Sequence, residues 1–365
     1  MSTPATSKTL EVRRDAWHET RLVEEELPST LADNEVILKV LRQALTSNNI
    51  SYAASGDMLG YWGFFPAEEG WGRIPAMGWA EVVASAHPDI PVGERVWGFF
   101  PFSTHLKILA GDVTERDFND VSAHRAEYAP VYARFERAAA SPLYDGDRED
   151  HDSLLRGLFM TSWLVEDFLD VNDGFGAQAC LMTSASSKTS IALGYCLKKR
   201  GKLASIGITS EGNRAFCESL GCYDKVVTYD ELETLDASQP VVMVDMAGSA
   251  SVISTLHHHF GDNMKHSARV GATHYEEGGD TSDLPGAKPA FFFAPGHIQT
   301  RSAEMGAQQL MNALGATFID FRRDADDWLQ IETSRGADAV EATYQAVLAG
   351  KSGPSTGQII SLWDS

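Results

Sequence analysis

A run of small hydroxylated residues with one lysine is the clearest chemical signal in this sequence. It reads Ser-Ala-Ser-Ser-Lys-Thr-Ser over residues 184–190, between a short apolar segment and an apolar pattern at helical spacing. Hydroxyl groups, backbone N–H groups and one ammonium group at the start of a helix are suited to binding a phosphate. The candidate ligands of a pyrophosphate are Ser184, Ala185, Ser186, Ser187, Lys188 and Thr189.

This turn departs from both standard phosphate-binding motifs. A dinucleotide-binding turn has the pattern G-x-G-x-x-G, whereas no glycine lies between residues 177 and 193 of this chain. A P-loop has glycine before Lys-Thr, where this chain has Ser187. On these residues alone two interpretations stay open: a phosphate-binding turn, or an ordinary serine-capped helix with an exposed lysine.

The segments around the turn predict a strand–helix–strand unit. Residues 179–183 and 203–208 are short apolar runs typical of buried strands, and residues 191–197 are apolar at helical spacing. Gly201, preceded by three basic residues, ends the predicted helix. Strands and helices continue to alternate as far as residue 294, which predicts a doubly wound parallel sheet.

Other helices and strands are predicted on either side of this unit. An amphipathic helix over 154–169 contains Thr161, whose hydroxyl either bonds to the helix backbone or faces a ligand. Towards the C-terminus we predict helices over 299–314 and 325–348 and a closing strand over 357–362.

The residues that follow the second strand bear on the choice of cofactor. Position 209 is where an NAD-preferring fold often has an acidic residue for the ribose hydroxyls, and here it is Thr209. Ser210, Asn213 and Arg214 lie close by and suit a 2′-phosphate, which favours NADP. Glu211 is the opposing observation, because its carboxylate could bind the ribose instead.

The first part of the chain is predicted to be rich in β-strands, over 35–40, 79–84 and 94–100. A polar segment over 44–57 follows the first strand, and we interpret it as a loop at a surface or cleft. Aromatic residues then cluster near glycine and proline, which is typical of loops packed over a pocket but also of rings that fill an irregular β-domain. They are Tyr61, Trp62, Phe64, Phe65, Trp71 and Trp79.

Composition and charge favour a globular protein and disfavour several kinds of partner. With 365 residues, 43% of them hydrophobic, the chain is long enough for two domains with sizeable cores. The net charge of −21 disfavours binding to nucleic acid or to an anionic membrane. We see no secretory signal and no apolar run long enough to span a bilayer, and we expect a cytoplasmic protein. Its four cysteines form no C-x-x-C pair and suit free thiols.

The order of these parts resembles the medium-chain dehydrogenase/reductase superfamily, in its zinc-free quinone-oxidoreductase-like branch. Residues 33–40, 92–98 and 220–229 are similar to the family patterns GEVLVKV, VGDRV-x-G and LGAD-x-V-I-x-Y. Residues 181–190 stand where the family has its glycine-rich cofactor turn. Through residues 69–75 and 184–189 the chain resembles a poorly characterised subgroup known only as a domain of unknown function.

The resemblance implies an α/β fold of two domains. One is a Rossmann-like domain with a doubly wound parallel sheet, expected over 151–296. The other is a β-rich, GroES-like catalytic domain, expected over 1–150 and 297–365. The resemblance also implies a homodimer. No metal site is expected, because the place of the family's zinc-binding G-H-E reads Gly78-Trp79-Ala80-Glu81 and has no imidazole.

The resemblance further implies a zinc-independent reductase that uses NADPH to reduce an activated C=C or C=O bond of a small organic substrate. Tyr52 and Tyr61 lie in or beside the loop that lines the family's cleft, and a phenol can donate a proton to a developing enolate. Asn48 or Asn49 would hold the nicotinamide carboxamide or a substrate oxygen. Core packing is the alternative role for both tyrosines.

A second candidate acid follows a strand expected over 269–273. Gly271, Thr273 and His274 would lie at its carboxyl end, the side on which open α/β sheets bind ligands. His274 could donate a proton there, or only bond to backbone. Two other functions stay open for the chain: a nicotinamide-assisted lyase or isomerase, and a catalytically inactive nucleotide-binding sensor.

Overall fold

The structure is a computed structural model that describes residues 6–128, 130–246, 248–270 and 283–364. The chain folds as two compact units. Unit 1 comprises residues 1–154 and 329–365, and unit 2 comprises residues 155–328. Residues 297–328, which the sequence analysis assigned to the β-rich domain, therefore lie in unit 2.

The described strands and helices have the following bounds. The strands are β1 (Thr6–Arg13), β2 (Thr20–Glu26), β3 (Glu35–Leu45), β4 (Trp71–Gly72), β5 (Pro75–Ser85), β6 (Arg95–Pro101), β7 (His105–Gly111), β8 (Asp117–Asp120), β9 (Arg134–Arg137), β10 (Ala179–Met182), β11 (Ala204–Thr209), β12 (Lys225–Thr228), β13 (Val241–Asp245), β14 (Met264–Arg269), β15 (Pro289–Phe291), β16 (Gln330–Arg335) and β17 (Thr356–Ser361). The helices are α1 (Ser47–Ala54), α2 (Glu149–Val171), α3 (Lys188–Arg200), α4 (Arg214–Ser219), α5 (Ala250–Phe260), α6 (Ala294–Met305), α7 (Ala307–Asp324) and α8 (Ala337–Leu348).

Unit 1 is built on an eight-stranded sheet in the order β16-β17-β3-β5-β6-β9-β8-β7. β3 also pairs with β7 at the far end of that order, so the sheet curls into a barrel-like form. Apolar residues from β3, β5 and β6 are fully buried against Phe118 and Phe135. This β-rich unit confirms the GroES-like domain expected from the sequence.

Unit 2 contains a six-stranded parallel sheet in the order β12-β11-β10-β13-β14-β15. All four residues of β10 are buried, as expected for a central strand covered on both faces. The strand order reverses direction between β10 and β13, which is where open α/β sheets bind ligands. The doubly wound, Rossmann-like sheet is therefore confirmed.

The polar segment over 44–57, which the sequence analysis interpreted as a loop, contains the helix α1. Thr46 precedes the helix, and its backbone N–H and its hydroxyl both donate to Asn49 Oδ1, at 2.7 and 3.1 Å. A capping box normally has Glu or Gln at this third helical position. The asparagine in its place explains why the sequence pattern did not indicate a helix start.

The single helix expected over 325–348 is also wrong in its first half. There the chain forms β16, which pairs in parallel with β17, and only α8 is helical. Gly336, with φ of 80°, separates the two elements. β16 is largely exposed and has no apolar alternation, so its strand conformation depends on its partner strand rather than on a local signal.

Ring packing and an ion pair explain why the helices after residue 297 belong to unit 2. Phe159 of α2 packs against Phe318 and Phe321 of α7, with ring centroids 5.4 and 5.1 Å apart. Lys199 at the end of α3 bonds to Asp320 of α7 at 2.6 Å. Among the described residues, no helix is both long and apolar enough to cross a bilayer.

Candidate functional site

The segment over residues 184–190, here called the serine turn, joins β10 to α3. Ser184 has φ of 53°, a left-handed conformation that glycine adopts most easily. Ser187 caps α3 by accepting a bond from the Ser190 N–H at 3.2 Å. The Ser190 hydroxyl, itself buried, donates to Thr183 O at 2.8 Å and draws the helix against the strand. Serines thus occupy the positions of this strand-to-helix turn at which dinucleotide-binding folds normally have glycine.

Glycines outside the turn make room for this arrangement. The ring of Tyr223 packs against Gly194 of α3 and Gly207 of β11, and a Cβ atom at Gly207 would lie 2.9 Å from the Ala185 Cβ. The Tyr223 hydroxyl donates to Ala185 O at 2.7 Å. The Ser184 N–H donates to the hydroxyl of Tyr229 at 3.2 Å. Two tyrosines therefore brace the backbone of the serine turn.

A buried hydroxyl and carboxylate join the two strands at the point where the sheet order reverses. Thr183 Oγ1 donates to Asp245 Oδ1 at 2.7 Å and accepts from the Met246 N–H at 2.9 Å. The Gly248 N–H donates to Asp245 Oδ2 at 3.0 Å. Sequence analysis missed Tyr223, Tyr229 and Asp245. The signal that could have found Asp245 is a carboxylate directly after a buried strand.

Lys188 is the first residue of α3 and is partly buried. Loss of water around its ammonium group lowers the pKa of Lys188 to about 8. The first turn of α3 contains no acidic residue. Because the N-terminus of a helix carries partial positive charge, a cation there is unfavourable and a bound anion would stabilise it.

The helix α2 supports the same turn from its other side. The Ser162 hydroxyl donates to Thr189 O at 2.7 Å and to Leu158 O of its own helix at 3.1 Å. Thr161 donates to Gly157 O at 3.4 Å. Of the two roles considered for Thr161, the structure shows the bond to its own helix backbone.

The residues that follow β11 are brought next to the serine turn. Asn213 Nδ2 donates to Ser186 Oγ at 3.1 Å, which joins two of the predicted cofactor-binding segments. Thr209 is buried, whereas Ser210 is exposed. The guanidinium of Arg214 bonds to the carboxylates of Glu211 and Glu231. An anion bound at Arg214 would therefore share that cation with two carboxylates.

In unit 1, α1 carries three of the predicted site residues. Asn48 and Tyr52 stand one helical turn apart, and Asn48 Nδ2 donates to the Tyr52 hydroxyl at 2.7 Å. Asn49 is buried, where its Oδ1 caps α1 and its Nδ2 donates to Pro75 O at 2.8 Å. The amide of Asn49 thus holds local structure together.

Tyr52 and Tyr61 pack together, and the structure adds Tyr132 to them; these three residues are here called the phenol cluster. The ring centroids lie 4.6 Å apart for Tyr52 and Tyr61 and 6.0 Å apart for Tyr61 and Tyr132. Burial, and then the nearby charge of Tyr132 when it ionises, raise the pKa values of Tyr52 and Tyr61 well above the usual range. Both phenols therefore stay protonated around neutral pH.

Gly271, Thr273 and His274 lie outside the described residues. Three consecutive histidines lie in the last turn of α5, and among them His257 is buried with its ring nitrogens bonded to Ser267 Oγ and Pro285 O, and His259 bonds to Leu235 O. Within the described ranges, no group of three or more histidine, cysteine or acidic side chains is placed to hold a metal ion.

Comparison with known proteins gives one family and many related folds. Residues 43–353 match the family described as "Protein of unknown function (DUF2855)". No curated protein matches the chain.

Similar solved structures include a mutant enoyl thioester reductase from Candida tropicalis, with a TM-score of 0.62, 12% identity, and coverage of 98% of this chain and 99% of that one. A putative NADPH:quinone reductase from Mesorhizobium loti has a TM-score of 0.60, 14% identity and coverage of 99% of both chains. CurA from Vibrio vulnificus in complex with NADPH has a TM-score of 0.61, 13% identity and coverage of 94% of both chains. The fold expected from the sequence is thus confirmed, because the chain shares it with these reductases.

Proposed function

We propose that this chain, which belongs to the DUF2855 family of proteins of unknown function, is a reductase that uses NADPH and works without zinc. Its substrate would be a small organic molecule with an activated C=C or C=O bond. The observation that carries the proposal is the braced serine turn at the point where the sheet order reverses, with Lys188 at the start of α3. Solved structures of the same fold, one of them in complex with NADPH, support it.

The residues of the serine turn fit the pyrophosphate of a dinucleotide. Ser184 adopts the left-handed conformation that such a turn needs, and Lys188 adds a cation where the helix end favours an anion. Backbone N–H groups at the start of α3 would bind the phosphates together with the hydroxyls of Ser186 and Thr189. When bound, the cofactor supplies a hydride.

A 2′-phosphate would be held by the residues after β11. Ser210 is exposed, and Asn213 already contacts the serine turn. Arg214 would add its charge only by sharing its guanidinium with Glu211 and Glu231. We therefore propose that hydroxyl and amide groups, rather than a dedicated arginine, give most of the preference for NADPH.

Tyr52 is the proposed proton donor to the substrate. Its oxygen accepts a bond from Asn48 Nδ2, so its own O–H remains free to donate to another acceptor. In the donation the Tyr52 O–H bond breaks, a new bond forms between the proton and the substrate, and the electron pair stays on the Tyr52 oxygen. Asn48 then stabilises the resulting phenolate by the same hydrogen bond.

A titration of the purified protein with NADPH and with NADH tests the cofactor proposal. We expect tighter binding of NADPH, followed by loss of reduced-nicotinamide absorbance when enals, enones or quinones are added. Binding without turnover would favour the sensor, and substrate conversion without net oxidation of the nicotinamide would favour a lyase or isomerase. If neither nucleotide binds, the serine turn is not a phosphate site and the reductase proposal fails.

We also propose that the chain forms a homodimer through the exposed edge of its parallel sheet. β15 is the edge strand, and Phe291 and Phe293 beside it are 59% and 62% exposed. Both rings border a cavity of about 550 Å³ that Phe168 and His297 also line. Sedimentation of Phe291→Asp and Phe293→Asp variants tests this, since each should yield monomers; an unchanged dimer would place the interface elsewhere.

The cytoplasm is the proposed location, because all four cysteines are buried free thiols, as is usual in a reducing compartment. Cell fractionation with an antibody to the chain tests this directly. Recovery in the membrane or secreted fraction would contradict the proposal.

A further inference from the structure

The residues that line the cavity beside β15 all belong to unit 2. Its volume of about 550 Å³ is that of a pocket for a small organic molecule. The ring of Phe168 has its centroid 5.5 Å from that of Phe292. The same ring lies 5.5 Å from the imidazole of His266 and 5.5 Å from that of His297. The cavity is here called the imidazole pocket, and its lining includes Phe168, His266, Phe292, His297, Thr300 and Arg301.

The imidazole of His266 has hydrogen-bonding capacity that the described residues do not use. Its ring is stacked on that of Phe175, with centroids 4.2 Å apart and planes 7° apart. Neither ring nitrogen bonds to another described residue, and burial is what lowers the pKa of His266. The ring is therefore neutral around neutral pH, so it offers one N–H donor and one lone pair to a molecule in the pocket.

His297 of α6 presents a second imidazole to the same space. Its Nε2 lies 2.8 Å from Asp167 Oδ2, and because a carboxylate only accepts, Nε2 is the donor. In the neutral ring the lone pair is then on Nδ1, and this side chain bonds to no described residue other than Asp167. A hydroxyl group in the pocket could donate to that nitrogen.

The charged groups at the pocket already have partners. Arg301 donates to Asp167 through Nε at 2.8 Å and through Nη2 at 3.3 Å. Its Nη1 donates to Glu304 at 2.5 Å. Among the described lining residues, no charge is therefore left over to compensate an ionised ligand for its loss of hydration.

The imidazole pocket is separate from the residues proposed to bind the cofactor. His266 pairs with Val242, near the amino end of β13. Asp245 and the serine turn instead lie at the carboxyl ends of β13 and β10. A molecule in the pocket would therefore contact other residues than the cofactor does.

We propose that the imidazole pocket is a second binding site, which takes a small neutral aromatic molecule bearing a hydroxyl group. The ring of this molecule packs against Phe168 and Phe292, and its hydroxyl bonds to His266 and His297. A hydroxyl suits two neutral imidazoles because it donates to one lone pair and accepts from one N–H at the same time. This inference goes beyond the proposed reductase and does not depend on it.

Calorimetric titration of the full chain with 1-naphthol tests the class of ligand. For a molecule of this size we expect a Kd on the order of 0.1 mM. Binding of 1-methoxynaphthalene, which cannot donate, should be about three- to tenfold weaker, and binding of the anion 1-naphthoate at least about tenfold weaker. Equal or tighter binding of either comparison molecule would overturn the assignment to a neutral hydroxylated aromatic.

Two substitutions on α6 test whether 1-naphthol binds in this pocket. Thr300 is exposed at its rim, and its hydroxyl bonds only within the helix, to Gly296 O at 3.2 Å. Thr300→Trp should therefore fill the pocket without disturbing the fold, and it should abolish binding. Gln299→Trp is the matched control, since Gln299 is exposed on the same helix but does not line the pocket, and it should bind 1-naphthol as the wild type does.

His266→Phe keeps the ring stacked on Phe175 and removes both nitrogens. We expect it to weaken 1-naphthol binding by about three- to tenfold, whereas His258→Phe, at an exposed histidine of α5, should change nothing. An unchanged Kd in His266→Phe would overturn the hydrogen bond to that imidazole. Binding that survives Thr300→Trp but is lost on saturation with NADPH would place 1-naphthol in the cofactor site and overturn the second site. Failure of the reductase proposal would leave all these measurements unaffected, because none of them requires turnover.

Discussion

The serine turn and the phenol cluster hold buried polar groups in different ways. In the turn, hydroxyl groups bond to backbone carbonyls, as Ser190 does to Thr183 and Tyr223 to Ala185. In the cluster, rings fill the space, and the phenol of Tyr52 bonds to a single amide. The first arrangement fixes a backbone shape, and the second excludes water from protonated phenols.

This difference shows that the tight backbone turn of a glycine-rich motif can also be built from serines, provided that neighbouring residues make room for it. The small residues lie at Gly194 and Gly207 rather than in the turn itself, and there they make room for the ring of Tyr223 and, at Gly207, for Ala185. Hydrogen bonds from neighbouring tyrosines then fix the backbone. We therefore expect loss of one hydroxyl to cost stability in the turn and activity in the cluster.

The largest effect is expected from Tyr52→Phe. The variant keeps the ring and removes the donated proton, so kcat should fall by about a hundredfold or more. The Kd for NADPH and the melting temperature should hardly change, because the hydroxyl bonds only to Asn48 among the described contacts. Steady-state kinetics measure kcat, a nucleotide titration measures the Kd, and thermal unfolding gives the melting temperature. Tyr128→Phe is the control, because Tyr128 packs against Phe64 beside the phenol cluster. Full activity in Tyr52→Phe would leave Tyr52 with a packing role.

Lys188→Ala should have the next largest effect. Removing a charge-assisted contact of roughly 1.5–3 kcal/mol should weaken NADPH binding by about 10- to 100-fold. The wild-type affinity should also fall as the pH rises through about 8, because the ammonium form of Lys188 is lost there. Calorimetry on either side of that pH measures both effects.

Lys199→Ala is the matched control for this lysine, since Lys199 lies near the other end of the same helix, where it pairs with Asp320. It should bind NADPH as the wild type does and keep the pH dependence. In Lys188→Ala the pH dependence of NADPH binding should be lost. An unchanged Kd in Lys188→Ala would show that the lysine does not contact the phosphates.

The sequence predicted best those elements whose signal is local. Apolar runs, a run of serines and a helix stop at Gly201 were sufficient to predict β10, the serine turn, α3 and β11. The two domain types also followed, although the boundary at residue 297 did not, because the ring contacts of Phe318 and Phe321 cannot be read from a pattern.

The parts that were missed depend on contacts between distant segments. Tyr132 packs against Tyr61 from a distant segment whose backbone Arg125 holds at Tyr132 O, and Tyr223 reaches Ala185 where Gly207 leaves room. Asp245 bonds to Thr183 across neighbouring strands. In each case the residue type was visible in the sequence, whereas its partner was set by the fold.

Thr183→Val tests the hydrogen-bonded side of the comparison. The valine keeps the shape but removes a donor to Asp245 and an acceptor for the Met246 N–H, so unfolding should need about 1–3 kcal/mol less free energy. Denaturant titration measures this, and Thr333→Val on an exposed strand position is the control. Equal stabilities for the two variants would mean that the network does not brace the serine turn.

The smallest effect is expected from Ser184→Gly, which relaxes the one left-handed serine of the turn. The left-handed conformation costs a residue with a Cβ roughly 1–2 kcal/mol, and the extra freedom of an unfolded glycine returns about 0.5–1 kcal/mol of that. We therefore expect a gain in unfolding free energy of about 1 kcal/mol or less, with Ser184→Ala as the control that keeps the strain. If Ser184→Gly were instead less stable than Ser184→Ala, the left-handed conformation would not be costly at this position. If both variants were less stable than the wild type, the serine hydroxyl itself would contribute to holding the turn.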